Sequence, residues 1–189
     1  GSVVILDKKP WVDLEPLTTK RPSKNYIWNL LRQDIRDLAP QRAMDAACHS
    51  FLNYPLFGDA EYFGIDISTL RLLQGLRNYP AAWEKVTPIL ADITKPILLS
   101  CSMDLVVTTK TLSHIAPDLR PLAVDNLIDC VRPGGSFLLE VEGRDQFPDI
   151  AERVSEHFER VEVIYTISSE SRIFEKAPSN AEGDILSLT

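Results

Sequence analysis

From Ser23 onward, apolar residues recur at three- and four-residue steps: Ile27, Leu30, Leu31, Ile35 and Leu38. Pro40 follows, so the spacing predicts a helix over 23–39. Short apolar runs then alternate with amphipathic stretches. Strands are expected at Arg42–Ala46, Tyr62–Ile67, Val86–Ala91 and Met103–Thr108, the last rich in β-branched residues. Ser68 is placed to cap a helix carrying Leu70, Leu73, Leu76 and Tyr79 on one side. Leu119, Leu122, Leu127, Ile128 and Val131 mark another helix, which Arg132-Pro133-Gly134-Gly135 ends before a strand at Ser136–Val141. A helix around Phe147–Phe158 and strands at Val161–Ile167 and Arg172–Lys176 complete the pattern.

Repeated alternation of strand and helix is the signature of a parallel sheet covered on both faces. The last two predicted strands are separated only by Ser168-Ser169-Glu170-Ser171. So short a link permits a hairpin and no crossover helix. The expected fold is therefore α/β: a doubly wound, seven-stranded, mostly parallel sheet with an antiparallel C-terminal hairpin strand. Residues 1–22, with Pro10, Pro16 and Pro22 and no clear period, read as an N-terminal arm. The domain occupies 23–177, and 178–189 reads as a tail.

Composition narrows the class. Of 189 residues, 44% are hydrophobic and 25% charged, as in soluble globular proteins. No run of eighteen apolar residues is present, so no membrane partner is expected. Cys48, Cys101 and Cys130 are odd in number and widely spaced, which suggests buried thiols in a reducing, cytoplasmic setting. His49, His114 and His157 are scattered, and no metal site is expected. The formal charge of −7 disfavours a phosphate backbone, so no nucleic-acid partner is expected. Lys8, Lys9, Lys20, Arg21 and Lys24 read as a solvated arm.

Four local patterns carry chemistry. MDLVVTTKTLSHI is followed, after a helix, by VRPGGSFLLEV; Asp66 ends the EYFGIDIS segment; Asp92 follows Leu90-Ala91; and Asp45 opens the loop Ala46-Ala47-Cys48-His49-Ser50-Phe51. With this element order, the chain resembles the class I S-adenosylmethionine-dependent methyltransferases over residues 22–177. The resemblance implies S-adenosylmethionine as cofactor and S-adenosylhomocysteine as product. It implies that Asp66 accepts from the ribose diol with Ile67 against the adenine, and that Asp92 and Ile93 contact the adenine amino side. Asp45, Ala47, Cys48, His49, Thr108 and Thr109 then border the cofactor, and Tyr26 covers it as a lid. Read without the resemblance, Asp66 is a charge at a helix N-terminus and Asp92 a loop residue.

The chain departs from the family in its glycine-rich loop, where Ala47, His49 and Phe51 stand at the three glycine positions. Glycine serves there because the backbone approaches the cofactor closely or takes positive φ. His49 and Phe51 cannot fill the same space as glycines. Three readings follow: a loop with another path that still binds cofactor, recruitment of His49 to the site, or loss of the site.

His114 is the candidate catalytic base, since an imidazole titrates near neutral pH; helix-turn packing is its alternative role. Lys110, Glu140 and Glu142 are expected along the same crevice. The expected activity is O- or N-methylation of a small-molecule acceptor, in sugar or secondary-metabolite chemistry, by a monomer or homodimer. A catalytically silent domain that binds a partner is the second reading. A nicotinamide oxidoreductase is the third, weakened because no G-x-G-x-x-G follows the first strand.

Overall fold

The computed structural model of the protein describes residues 4–5, 22–142, 147–166 and 183–188. Eight strands form one sheet: β1 (Val4–Ile5), β2 (Arg42–Ala46), β3 (Glu61–Asp66), β4 (Val86–Leu90), β5 (Met103–Thr108), β6 (Val131–Glu142), β7 (Val161–Thr166) and β8 (Gly183–Leu188). Their order is β1-β4-β3-β2-β5-β6-β8-β7. The five central strands, β4 to β6, pair in parallel, whereas β1 and β8 run antiparallel to their neighbours.

Residues alternate faces along each strand, and the core divides accordingly. Ala43, Tyr62, Leu105, Val107 and Leu138 pack on one side with Leu31 and Ile35 of α1 (Pro22–Leu38) and Leu72 and Leu76 of α2 (Thr69–Asn78). Met44, Phe63, Ile65, Val106, Phe137 and Leu139 pack on the other with Val124 and Leu127 of α3 (Arg120–Ile128) and Ile150 and Val154 of α4 (Phe147–Ser155). The sheet is doubly wound, as the alternation predicts.

Several expectations need correction. The described residues hold eight strands, not seven. The arm contributes β1, paired with β4. Residues 183–188, read as tail, form the antiparallel strand between β6 and β7. Paired along both edges, this strand has its backbone donors and acceptors met by β6 and β7 alike. The predicted Arg172–Lys176 strand lies outside the described residues. Leu70, assigned to the buried side of α2, is 61% exposed, and Leu119 and Leu122 are also exposed. Buried Leu72, Gly75 and Leu76 show that the inward face of α2 is rotated from the predicted one.

Helices do not fill every crossover. Only a 3₁₀ turn, Tyr54–Leu56, lies between β2 and β3, and no helix lies between β4 and β5. The first gap is covered by aromatic rings instead. Phe51, Tyr54 and Phe57 stand edge-on to Tyr62, with centroids 5.6, 5.2 and 5.1 Å away. Such pairs add to the burial of large apolar surfaces.

Candidate functional site

The parallel strands end in register. Ala46 lies opposite Ile65 and Thr108, and Asp66 opposite Leu90, so the loops that follow these strands gather at one edge. Strand order reverses between β2 and β5, and open α/β sheets bind ligands in the crevice at that switch point. Here the crevice is a cavity of about 830 Å³. That is near the upper end for small-molecule sites, roughly 300–1,000 Å³.

Its floor is the loop after β2. Ala47, His49 and Phe51 have φ of +57°, +55° and +58°. All three positions where the sequence lacks the expected glycines thus hold a left-handed backbone. The loop is held against β3 by hydrogen bonds from Cys48 N to Ile65 O (2.9 Å) and from His49 N to Asp66 Oδ2 (2.8 Å). Each non-glycine residue in this region costs roughly 1–2 kcal/mol. Phe51 partly offsets that cost by burying its ring completely. The ring sits between two glycines: a Cβ on Gly64 of β3 would lie 2.5 Å from Phe51 Cε1, and one on Gly75 of α2 would lie 2.5 Å from Cδ2. The glycines missing from the loop are matched by glycines that make room for what replaced them.

Three carboxylates line the cavity, those of Asp66, Asp92 and Glu140. Asp66 Oδ1 accepts from Ser68 N at 2.9 Å, and Oδ2 takes the His49 amide. A carboxylate has about four acceptor positions, so donors of a ligand can still be met. Asp92 Oδ1 accepts from Thr94 N (2.9 Å) and Thr94 Oγ1 (2.7 Å). The Thr94 hydroxyl, outweighing partial burial, holds the Asp92 carboxyl below its ordinary value. Ile67, 72% exposed, and Ile93 add apolar surface beside these groups.

The family model for the methyltransferase domain matches residues 44–139. The chain belongs to the methyltransferase-domain family. Its fold is that of solved S-adenosylmethionine-dependent methyltransferases. No curated protein sequence matches it. The methyltransferase domain of a bacterial Hen1, CtHen1-C, superposes with a TM-score of 0.71 at 9% identity, over 88% of this chain and 98% of that one. The N-methyltransferase NodS from Bradyrhizobium japonicum WM9, in complex with S-adenosylhomocysteine, gives 0.72 at 14% identity, over 89% and 87%. Magnesium protoporphyrin IX methyltransferase from Synechocystis PCC 6803, with bound S-adenosylmethionine, gives 0.66 at 17%, over 87% and 76%.

Within the methyltransferase fold, Ala47, Cys48, His49, Asp66, Ile67, Asp92, Ile93, Thr109 and His114 all line the cavity. Asp45 and Thr108 do not; both are fully buried. Asp45 is a supporting residue behind the loop. It accepts from Tyr62 OH (2.6 Å) and Asn53 Nδ2 (3.1 Å), and Asn53 in turn accepts from Trp28 Nε1 (2.9 Å). Burial, with the Asp45 charge, pushes the Tyr62 phenol well above its ordinary pKa, so it remains a donor. Thr108 is enclosed at the end of β5, opposite Ala46 and Leu139. The side chain of Tyr26 lies outside the described ones; Trp28, on the same helix, lines the cavity.

Trp28, Asn53, Arg71 and Thr94, which none of the four chemistry-bearing sequence patterns singles out, also line the cavity. Trp28 was findable, since it shares a helical stripe with Leu31 and Ile35. Asn53 was not, because nothing local marks its reach to Asp45. Cys48 is a wall residue without nucleophilic character: burial, then Asp45 and Asp66, push its thiol well above the ordinary value. Asp104 and Arg132, from the two halves of the strongest sequence pattern, meet away from the cavity as an ion pair. Asp104 Oδ2 also accepts from Gln41 N (2.9 Å) and Arg42 N (2.8 Å), fastening the start of β2 to β5.

Proposed function

We propose that this methyltransferase acts on a small-molecule acceptor held in the 830 Å³ cavity, with the cofactor over the left-handed loop. The observation that carries this reading is that Ala47, His49 and Phe51, at the positions where the sequence lacks the expected glycines, all hold a left-handed backbone beside Asp66 and Asp92. A decayed site has no physical reason to retain that strain.

The residues present fit the cofactor. Asp66 would accept from the ribose diol, Asp92 would face the adenine amino group, and Ile67 and Ile93 would lie against the base. His49 and Thr109 would border its amino-acid end. Bound S-adenosylmethionine supplies a methyl group on a sulfonium, which an acceptor nucleophile takes by in-line displacement, leaving S-adenosylhomocysteine. The chain's own task is to hold the acceptor in line, and positioning supplies roughly 7–11 kcal/mol in favourable cases. His114 lies on the cavity wall and would take the acceptor's proton.

The test is calorimetric titration of the parent and Asp66→Ala proteins with S-adenosylmethionine and S-adenosylhomocysteine. Micromolar binding that the substitution abolishes is expected. A folded parent that binds neither at millimolar concentration is a silent domain, and the enzyme reading fails.

A further inference from the structure

The cavity wall carries a half-hidden ion pair. Lys110 follows β5, and Glu140 lies near the end of β6; Lys110 Nζ stands 3.3 Å from Glu140 Oε1. Both residues line the cavity. Their burial differs greatly, with side-chain exposures of 35% for Lys110 and 1% for Glu140. Lys110 also holds a left-handed backbone, φ +52°, a conformation that L-residues keep only where the surroundings impose it.

The asymmetry decides which partner can be exchanged. Glu140 is fixed on a strand and cannot reach water, so its charge needs a cation beside it. Lys110 has a long stem and a side chain 35% exposed, so of the two charges it is the one that can move. An anionic acceptor docked on Lys110 would bring a second negative charge against a carboxylate that cannot leave. A cationic acceptor would instead take over the position of Lys110 Nζ. Trp28, Ile115 and Leu119 give the same cavity apolar surface for the acceptor's body. The chain's net charge of −7 favours the approach of a cation.

We propose that the acceptor is an apolar amine whose ammonium replaces Lys110 as the counter-ion of Glu140. This rests on the methyltransferase reading of the site. Glu140 is here a specificity-determining residue and Lys110 its resting partner.

The test is calorimetry on protein saturated with S-adenosylhomocysteine. The probes are methylamine, benzylamine and tyramine, set against 3-(4-hydroxyphenyl)propionate, which replaces the ammonium of tyramine with a carboxylate. The amines are expected to bind, more tightly with apolar size, and the carboxylate to bind far more weakly. Glu140→Gln should weaken amine binding about tenfold or more while leaving S-adenosylhomocysteine affinity intact. Lys110→Gln should tighten amine binding, because the competing cation is gone. These opposite signs separate recognition from a merely structural ion pair, and Lys110→Gln decides the matter if Glu140→Gln fails to fold. Failure of S-adenosylhomocysteine to bind overturns the parent reading. Its binding with tighter capture of the carboxylate, no capture of any amine, or weaker amine binding in Lys110→Gln overturns this one.

Discussion

Replacing Gly75 by alanine sets two effects against each other. In a helix interior the change is ordinarily favourable by about 1 kcal/mol. Here the new Cβ would lie 2.5 Å from Phe51 Cδ2 and 2.6 Å from Cγ. The ring cannot retreat, because the space above Gly64 on its other side is equally filled. Overpacking of this kind costs about 1–3 kcal/mol, so the net expectation is a loss of up to about 2 kcal/mol. Urea denaturation reads that directly, and thermal melts should fall by roughly 4–8 °C for a loss of that size. In a Phe51→Ala background the obstruction is gone, and Gly75→Ala should stabilise by about 1 kcal/mol. Since Phe51 anchors the loop proposed to hold the cofactor, the single variant should also bind S-adenosylhomocysteine more weakly. If Gly75→Ala stabilises the protein by the same amount in both backgrounds, the wedge between the two glycines does no work and the reasoning is refuted.

Two further outcomes are expected. Burial raises the Asp104 carboxyl, but the Arg42 and Gln41 amides and Arg132 outweigh it, holding its pKa below the ordinary 3.8. The stability Asp104 contributes is therefore complete above that value and lost as pH falls through the folded-state pKa. The difference in urea midpoint between the parent and Asp104→Asn should be constant at neutral pH and shrink below pH 3.8; a constant difference through the acid range argues against the role. Of the three thiols, Cys101 is exposed, Cys48 and Cys130 are buried, and burial pushes Cys130 up to about 12. A thiol reagent at pH 8 should label one cysteine quickly and the others only on unfolding, and fast labelling of Cys48 would contradict the structure.

Much of this protein is decided locally. Period-two and period-3.6 patterns are properties of short segments, so strands β2 to β7 and all four helices were legible, as were Asp66 and Asp92 at the ends of their strands. The crossovers without helices and the identity of β8 were not, because a strand between two others is chosen by what its neighbours need. Trp28 and Asn53 reach the site through contacts distant in sequence, from Trp28 to Asn53 and from Asn53 to Asp45. The loop shows the division most clearly. From the sequence, the residues replacing its glycines could not share the glycines' space; in the structure Phe51 buries its ring wholly between Gly64 and Gly75. Its left-handed backbone survives because β3 and α2 each present a glycine where the ring must go. Whether a side chain is tolerated depends on the volume left by residues far along the chain, and only the folded structure determines that volume.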